Sequence, residues 1–319
     1  MIARRAGLFL GLGTVLPAAG ARAFPARPIR LLVPVSAGSV PDILARLLAE
    51  RLAPAWGVPV VVENRPGASG AIGVEAAMRA PADGHTLLLG SSGPIAILPA
   101  VNRRLPYDPL RDLVPVARVA DFPLVFIAAP DAGFSSLAGL IARGRAPGAP
   151  LDYAGGDLGS TQHLSGALLA MRGGLNLRHI PYRSALAQAD LMSGRIPLMV
   201  DSLSAVLRLI QDGRVVPLAT CGARRAVQLP GVPAVREAVP GYEATGWMGV
   251  FAPPATPPEI VQALSAAVLE VLADPAMAAR ITAAGSDPAA QGSAAFRNFV
   301  AEELAKWKGL AEAASISVE

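Results

Sequence analysis

Hydrophobic positions in this chain follow two rhythms that take turns. Short unbroken apolar runs give way to bends of glycine and small polar residues, and these to stripes with apolar positions every three or four residues. Residues 29–48 set the pattern: Ile29, Leu31, Leu32, Val33 and Val35 predict a strand, Ser36-Ala37-Gly38-Ser39 a bend, and Ile43, Leu44, Leu47 and Leu48 the buried face of a helix. Ser39 stands where an N-cap is needed, Pro41 suits a first turn that lacks intrahelical partners, and Asp42 follows Ser39 at capping-box spacing. The free amides of such a turn suit an anion. They offer oriented N–H groups and the positive end of the helix dipole without a buried cation.

The same unit recurs along the chain. Residues 58–63 predict a strand, Arg65-Pro66-Gly67-Ala68-Ser69-Gly70 a bend, and the residues up to Arg79 a helix. A strand over 85–89 ends in Gly90-Ser91-Ser92-Gly93-Pro94, and two more strands are expected over 113–119 and 124–128. From Ser135 the pattern restarts: a helix over 135–143, a strand over 151–154, a bend over 155–161, and a helix through Leu164, Leu168 and Leu169. Strands over 177–181, 196–200 and 215–220 then alternate with helices over 185–192 and 203–210. Strands separated by helices predict parallel β/α units, whose ligands gather at the carboxyl ends of the strands. The last third predicts a strand over 246–252, helices over 260–272 and 275–284, and an amphipathic helix over 293–314. In that helix Phe296, Phe299 and Trp307 keep helical spacing and read as packing residues.

A length of 319 residues exceeds what one core usually serves, so two lobes are expected. The net charge of +4 and pI near 9.7 shift little toward nucleic acid. Arg4, Arg5 and Arg22 lie in an N-terminal segment without acids, and taking them from the 28 basic residues leaves 25 against 24 acidic. Aromatic residues are 5% and no basic stripe interleaves with them, which excludes base stacking and phosphate tracking as a main activity. Residues 1–23 read as an export signal: Arg4-Arg5, an apolar stretch over 6–19, and the small-residue ending Ala21-Arg22-Ala23, with cleavage before Phe24. The paired arginines fit a twin-arginine route as well as an ordinary secretory one. Cys221 is the single cysteine, at the end of the apolar run VVPLATC, and reads as a small core residue.

Enzyme signatures are missing. The three histidines, His85, His163 and His179, have no i, i+4 partner and no neighbouring cysteine. Gly90-Ser91-Ser92-Gly93-Pro94 fails as a nucleophile elbow at its last position, and the one G-x-G lies in the signal. No cofactor or metal site is expected.

In order along residues 28–319, the segments PIRLLVPVSAG, VVVENRPGASGAIG, DGHTLLLGSSGP, LPYDPLRDLVPVA, LDYAGGDLGSTQHL, HIPYRSA and GYEATGWMGVFAPPATP resemble the periplasmic solute receptors of tripartite tricarboxylate transporters, the Bug or TctC-like family. The resemblance implies an α/β, two-lobed periplasmic binding protein fold, type II-like, and the restart of the strand and glycine-loop pattern in mid-chain puts residues 24–124 plus 245–319 in one lobe and 125–244 in the other. It implies a monomeric periplasmic receptor that closes on a small organic acid and docks on integral-membrane transporter subunits. By position, Ser36, Ala37, Gly38, Ser39 and Asp42 would form the first carboxylate site. Gly156, Ser160, Thr161 and His163 would face it, with Ser91, Ser92 and Asp201 lining the cleft. Two departures concern ligand identity: Ser36-Ala37-Gly38-Ser39-Val40-Pro41-Asp42 replaces the family's PAGGATD, and Tyr182-Arg183-Ser184-Ala185 falls where it has YKGG.

Each of these side chains also has a plainer use. Ser39, Asp42, Ser160, Thr161 and Asp201 are placed to cap helices, His163 to bond backbone, and Arg183 to form a surface or interlobe pair. A receptor that signals through a membrane partner instead of delivering solute has the same sequence pattern, and an enzyme on the same fold is the remaining alternative.

Overall fold

The computed structural model describes residues 24–182 and 185–318. The expected export signal over 1–23, with its cleavage point, and Arg183 and Ser184 lie outside the described residues. β1 (Ile29–Val33) feeds α1 (Val40–Trp56), and β2 (Val60–Asn64) feeds α2 (Ala71–Met78). β3 (Thr86–Ser91) leads through a π-helical turn at Gly93–Ile97 to the short helices α3 (Leu98–Val101) and α4 (Pro109–Asp112). β4 (Val114–Phe122) and β5 (Leu124–Ala128) are separated by Pro123 alone. Next come α5 (Leu137–Arg145), β6 (Leu151–Ala154), α6 (Thr161–Gly173), β7 (Leu177–Ile180), α7 (Ala185–Met192), β8 (Leu198–Ser202), α8 (Leu203–Gln211) and β9 (Val216–Thr220). β10 (Gly246–Ala252), α9 (Pro258–Ala273), α10 (Pro275–Ala283), β11 (Asp287–Gly292) and α11 (Ser293–Ala313) complete the chain.

The strands form two sheets, one ordered β11-β4-β10-β3-β1-β2 and the other β7-β6-β8-β5-β9. The α/β, two-lobed class read from the sequence is therefore the fold. Purely parallel pairing is not. β1, β2 and β3 are parallel, as are β6, β7 and β8, but β10 runs antiparallel to β3 and β4, and β5 runs antiparallel to β8 and β9. The reason is the crossing geometry. β4 leaves the first sheet at the same end where β10 enters it, and β5 enters the second where β9 leaves, so each pair must run in opposite directions. α3, α4 and β11 were not predicted either. The first two have four residues each, too few for a hydrophobic period, and β11 (DPAAQG) is a polar edge strand with Pro288.

The chain crosses between the sheets twice, at Pro123 and over residues 221–245, and the crossings meet at Cys221. Its N–H donates to the Leu124 carbonyl at 2.9 Å, and its own carbonyl accepts from the Ala244 N–H at 2.9 Å, so one buried residue ties both connections together. Burial pushes its thiol up to about 12, as befits a core residue. One apolar cluster, containing Leu32, Phe126, Tyr153, Leu164, Trp247 and Trp307, runs through both lobes. α11 packs on β4 and touches α6. Within it, buried Glu303 accepts the indole N–H of both Trp247 and Trp307 at 2.9 Å and pairs with Lys306, which also reaches the Glu243 carbonyl beside the second crossing. The aromatics of this helix are packing residues. Among the described residues no single helix is long and apolar enough to cross a membrane.

Candidate functional site

The loops at the carboxyl ends of β3, β6 and β8 and of the extended segment after β1 surround a cleft with two compartments. The larger, about 550 Å³, is lined by Ser69, Leu98, Asn102, the loop over 156–162, Tyr182 and Val318. The smaller, about 340 Å³, is lined by Val35, Val40, Pro41, Phe122, Ser91, Ser202 and Ser204. Gly93, Thr161 and Gln162 belong to both and form their common wall. Among the described residues, the lining contains no Lys or Arg; its one charged member is the exposed Asp157.

The wall is built by the start of α6. Gly156 (φ +63°) and Gly159 (φ +79°) occupy the left-handed region and turn the chain so that Ser160 becomes the N-cap. The Ser160 hydroxyl donates to the Gly155 carbonyl at 2.7 Å and accepts the His163 N–H at 3.1 Å. It is thus committed to the loop and helix. The Thr161 and Gln162 amides, in the first turn, have no protein partner among the described residues. From the opposite lobe, the buried Ser92 brings its hydroxyl to 3.5 Å from that of Thr161.

Below the loop lie two stacked imidazoles, His163 and His179, with ring centroids 3.9 Å apart. His163 Nδ1 accepts the Gly159 N–H at 3.0 Å, which places its proton on Nε2, and His179 Nε2 donates to the Gly155 carbonyl at 3.2 Å. Both ends of the bend are braced in this way. Burial, then the neighbouring His179, lowers the His163 pKa to about 3, and burial lowers that of His179, so both rings stay neutral.

Ser91, Gly156, Ser160 and Thr161 line the cleft, and Ser92 touches it through Thr161. Ser36, Ala37 and Gly38 are exposed and, with Ser39, line neither compartment. The Ser39 hydroxyl donates to the Ser36 carbonyl instead of capping α1. Asp42 is 2% exposed, and its carboxylate is used up by the chain: Gly38 N–H, the Arg46 guanidinium and the Asn64 amide all donate to it. Burial alone would raise its pKa, but those donors outweigh burial and hold it below the usual carboxylate range. Asp42 therefore fixes the bend. His163 sits behind the loop. Asp201 lies behind Ser202, accepting the Ser202 N–H at 2.8 Å and the Gln188 amide at 3.3 Å, with its pKa raised by burial.

Sequence reasoning missed Gln162, Asn102 and Ser69. Gln162 was available as the first-turn neighbour of Thr161. Ser69 was hidden by its loop, where four consecutive residues, Gly67 to Gly70, have positive φ, including Ala68 at 47° and Ser69 at 54°. Two non-glycine residues in that region are strained, a cost met where a loop must present its backbone to a site.

The tripartite tricarboxylate transporter family receptor model, TctC, matches residues 44–316. This chain belongs to that family. Among its relatives, protein BugT of Bordetella pertussis is 36% identical over 95% of this chain and 94% of its own length. An R. palustris structure with adipate superposes at TM-score 0.80 with 35% identity, covering 92% of this chain and 99% of that one. The periplasmic binding protein BugD matches at 0.76 with 30% identity over 93% and 100%, and MatC from Rhodopseudomonas palustris with bound malate at 0.74 with 28% identity over 90% and 99%. A TctC-family chain is a solute-binding receptor and not an enzyme, so the cleft is a place for capture.

Proposed function

We propose that this receptor captures a small organic acid between its lobes, with the ligand carboxylate on the first turn of α6, and delivers it to the membrane subunits of a tripartite transporter. The observation that carries the reading is the wall shared by both compartments, lined by Thr161 and Gln162, whose first-turn amides have no protein partner among the described residues. Oriented N–H dipoles at a helix start neutralise an anion without the desolvation cost of a buried cation, which suits cargo that must later be released. Ser91 and Gly156 complete the contact in this reading, with Ser92 behind Thr161, and relatives solved with adipate and malate support an acid as the ligand. Asp42, Ser160, His163 and Asp201 act by holding the loops.

Export follows from residues 1–23, and the mature periplasmic chain, a monomer, begins at Phe24. The lobes comprise residues 24–124 plus 245–319 and residues 125–244, and they close about the two crossings. Calorimetric titration tests the central claim: acids bind and their amides do not, and equal binding of an acid and its amide would sink it. Small-angle scattering tests closure through a smaller radius of gyration at saturating acid, once co-purified ligand has been removed.

A further inference from the structure

Resting on the proposed closure of the lobes about their two crossings, we propose that Arg224 and Asp287 form an ion pair behind the crossings when the cleft opens, and that this pair holds the empty receptor open and so limits its affinity. The strand order puts the two residues there. In the first sheet the crossing strands β4 and β10 stand between β11 and β3, and in the second β5 stands between β9 and β8. The cleft lies over the ends of β3, β6 and β8, on one side of this pivot. On the other side a third cavity, about 430 Å³, is lined by Asp287 and Pro288 at the start of β11 and by residues 222–227 after β9, with Asp121, Pro123 and Thr245 of the crossings between them. A rotation that widens the cleft therefore narrows this rear cavity. In the structure the lobes touch on the cleft side: the Ser92 and Thr161 hydroxyls approach to 3.5 Å, and a Cβ on Gly159 would lie 3.1 Å from Val101 Cγ2.

Most charges around the rear cavity are already matched. Asp121 is held by Arg118, Arg225 by Glu237 and the Pro230 carbonyl, and Glu243 faces Arg236 at 3.8 Å. Exposed Arg224 on the second-sheet side and half-buried Asp287 on the first-sheet side are left, and neither is in a salt bridge among the described residues. Burial raises the Asp287 pKa while the Gln228 amide and the Arg224 charge oppose that rise, so the two charges already act on each other across the gap. Asp287 also stands opposite Asp121 in the register of β11 on β4, and a cation brought to it offsets that pairing of like charges.

Spin labels on cysteines placed at exposed Ile72 and Met171, one in each lobe, report opening by pulsed electron–electron distance measurement, and the fully buried Cys221 takes no label. In the mature receptor freed of co-purified ligand, Arg224→Gln and Asp287→Asn are each expected to enlarge the short-distance population. In calorimetry with malate and adipate they are expected to tighten whichever acid binds by about two- to fivefold, the range for a partly exposed ion pair lost from the open state alone. Exchanging the charges, Arg224→Asp together with Asp287→Arg, is expected to return both readouts to those of the wild type. Distances unchanged in both single variants, or weaker acid binding in both, overturn this inference, and closure of the wild type on an acid then leaves the acid reading standing. A wild type whose distances shift with neither acids nor neutral solutes overturns lobe closure as well. Closure on a neutral solute and on no acid, with the variants shifted as expected, overturns the acid reading alone.

Discussion

The hydroxyl oxygens of Ser92 and Thr161 lie 3.5 Å apart, at the long end of hydrogen-bond range, Ser92 following β3 of one sheet and Thr161 opening α6 after β6 of the other. Only Thr161 lines the cavity. The two hydroxyls should therefore separate by titration. Thr161→Val is expected to weaken binding of the best acid by about 1.5–3 kcal/mol, the range for a hydrogen bond to a charged group. Ser92→Ala should change it less than about threefold, the two hydroxyls being weakly coupled. Equal losses in both variants would mean that Ser92 reaches the ligand directly.

Ser160 stands next to Thr161 but should behave differently, because its hydroxyl is already occupied by Gly155 and His163 backbone groups. Ser160→Ala should lower unfolding free energy by about 1 kcal/mol, as loss of an N-cap does. Urea denaturation with and without ligand checks it. A variant of unchanged stability but much weaker binding would assign the hydroxyl to the ligand.

Gly38 and Gly156 both have positive φ, +82° and +63°, yet they predict different outcomes. A Cβ on Gly38 meets nothing within 4 Å, so Gly38→Ala should cost only the left-handed penalty of about 1–2 kcal/mol and leave ligand affinity unchanged. At Gly156 a Cβ would come within 2.8 Å of Ser160 Oγ, forcing that hydroxyl off its cap. Gly156→Ala should lose stability and affinity together. A strong effect of Gly38→Ala on affinity would bring the first bend back into the site.

These contrasts show where the residues spoke for themselves and where they did not. The alternation of strand, bend and helix was legible because both periods and the glycine turns are local, and α6 with its Ser160 cap was read from a few residues. Which bend lines the cleft is not local. The bends at Ser36–Ser39 and Gly156–Thr161 look alike in sequence, yet Asp42 and Arg46 draw the first into its own lobe, while the His163–His179 stack holds the second at the cleft. The antiparallel strands depend on where the chain crosses between lobes, and Val318 reaches the cleft only because its N–H bonds to the Val101 carbonyl far back in the chain.

Acid should destabilise the protein through its buried imidazoles. His163 has an ordinary pKa near 6.5 once unfolded, against about 3 in the folded protein, where burial and the stacked His179 oppose its charge. Below pH 6.5 the unfolded chain takes up a proton that the folded one refuses, so stability must fall as pH falls. The slope is about 1.4 kcal/mol per pH unit for this one ring and ends only near the folded value. Buried His179, also lowered, adds in the same direction. Asp42 adds later, because a carboxylate held low loses its contribution only below its unfolded value of 3.8. Between pH 6.5 and 4.5 the imidazoles thus act before Asp42, while Asp121, Asp201 and Asp287, whose pKa values burial raises, work in the opposite direction and equally in both proteins, so comparison with a His163 variant isolates this ring. His163→Asn puts a carbonyl oxygen where Nδ1 accepts the Gly159 N–H and removes the titrating group, so it keeps the brace and loses the acid sensitivity. Thermal melts of both proteins across that window should show a shallower fall for the variant, with ligand affinity at pH 7 preserved to within a few-fold. Parallel curves would show that the His163 ring is not kept neutral by its burial, and collapse of affinity at pH 7 would show that the imidazole does more for the cleft than brace Gly159.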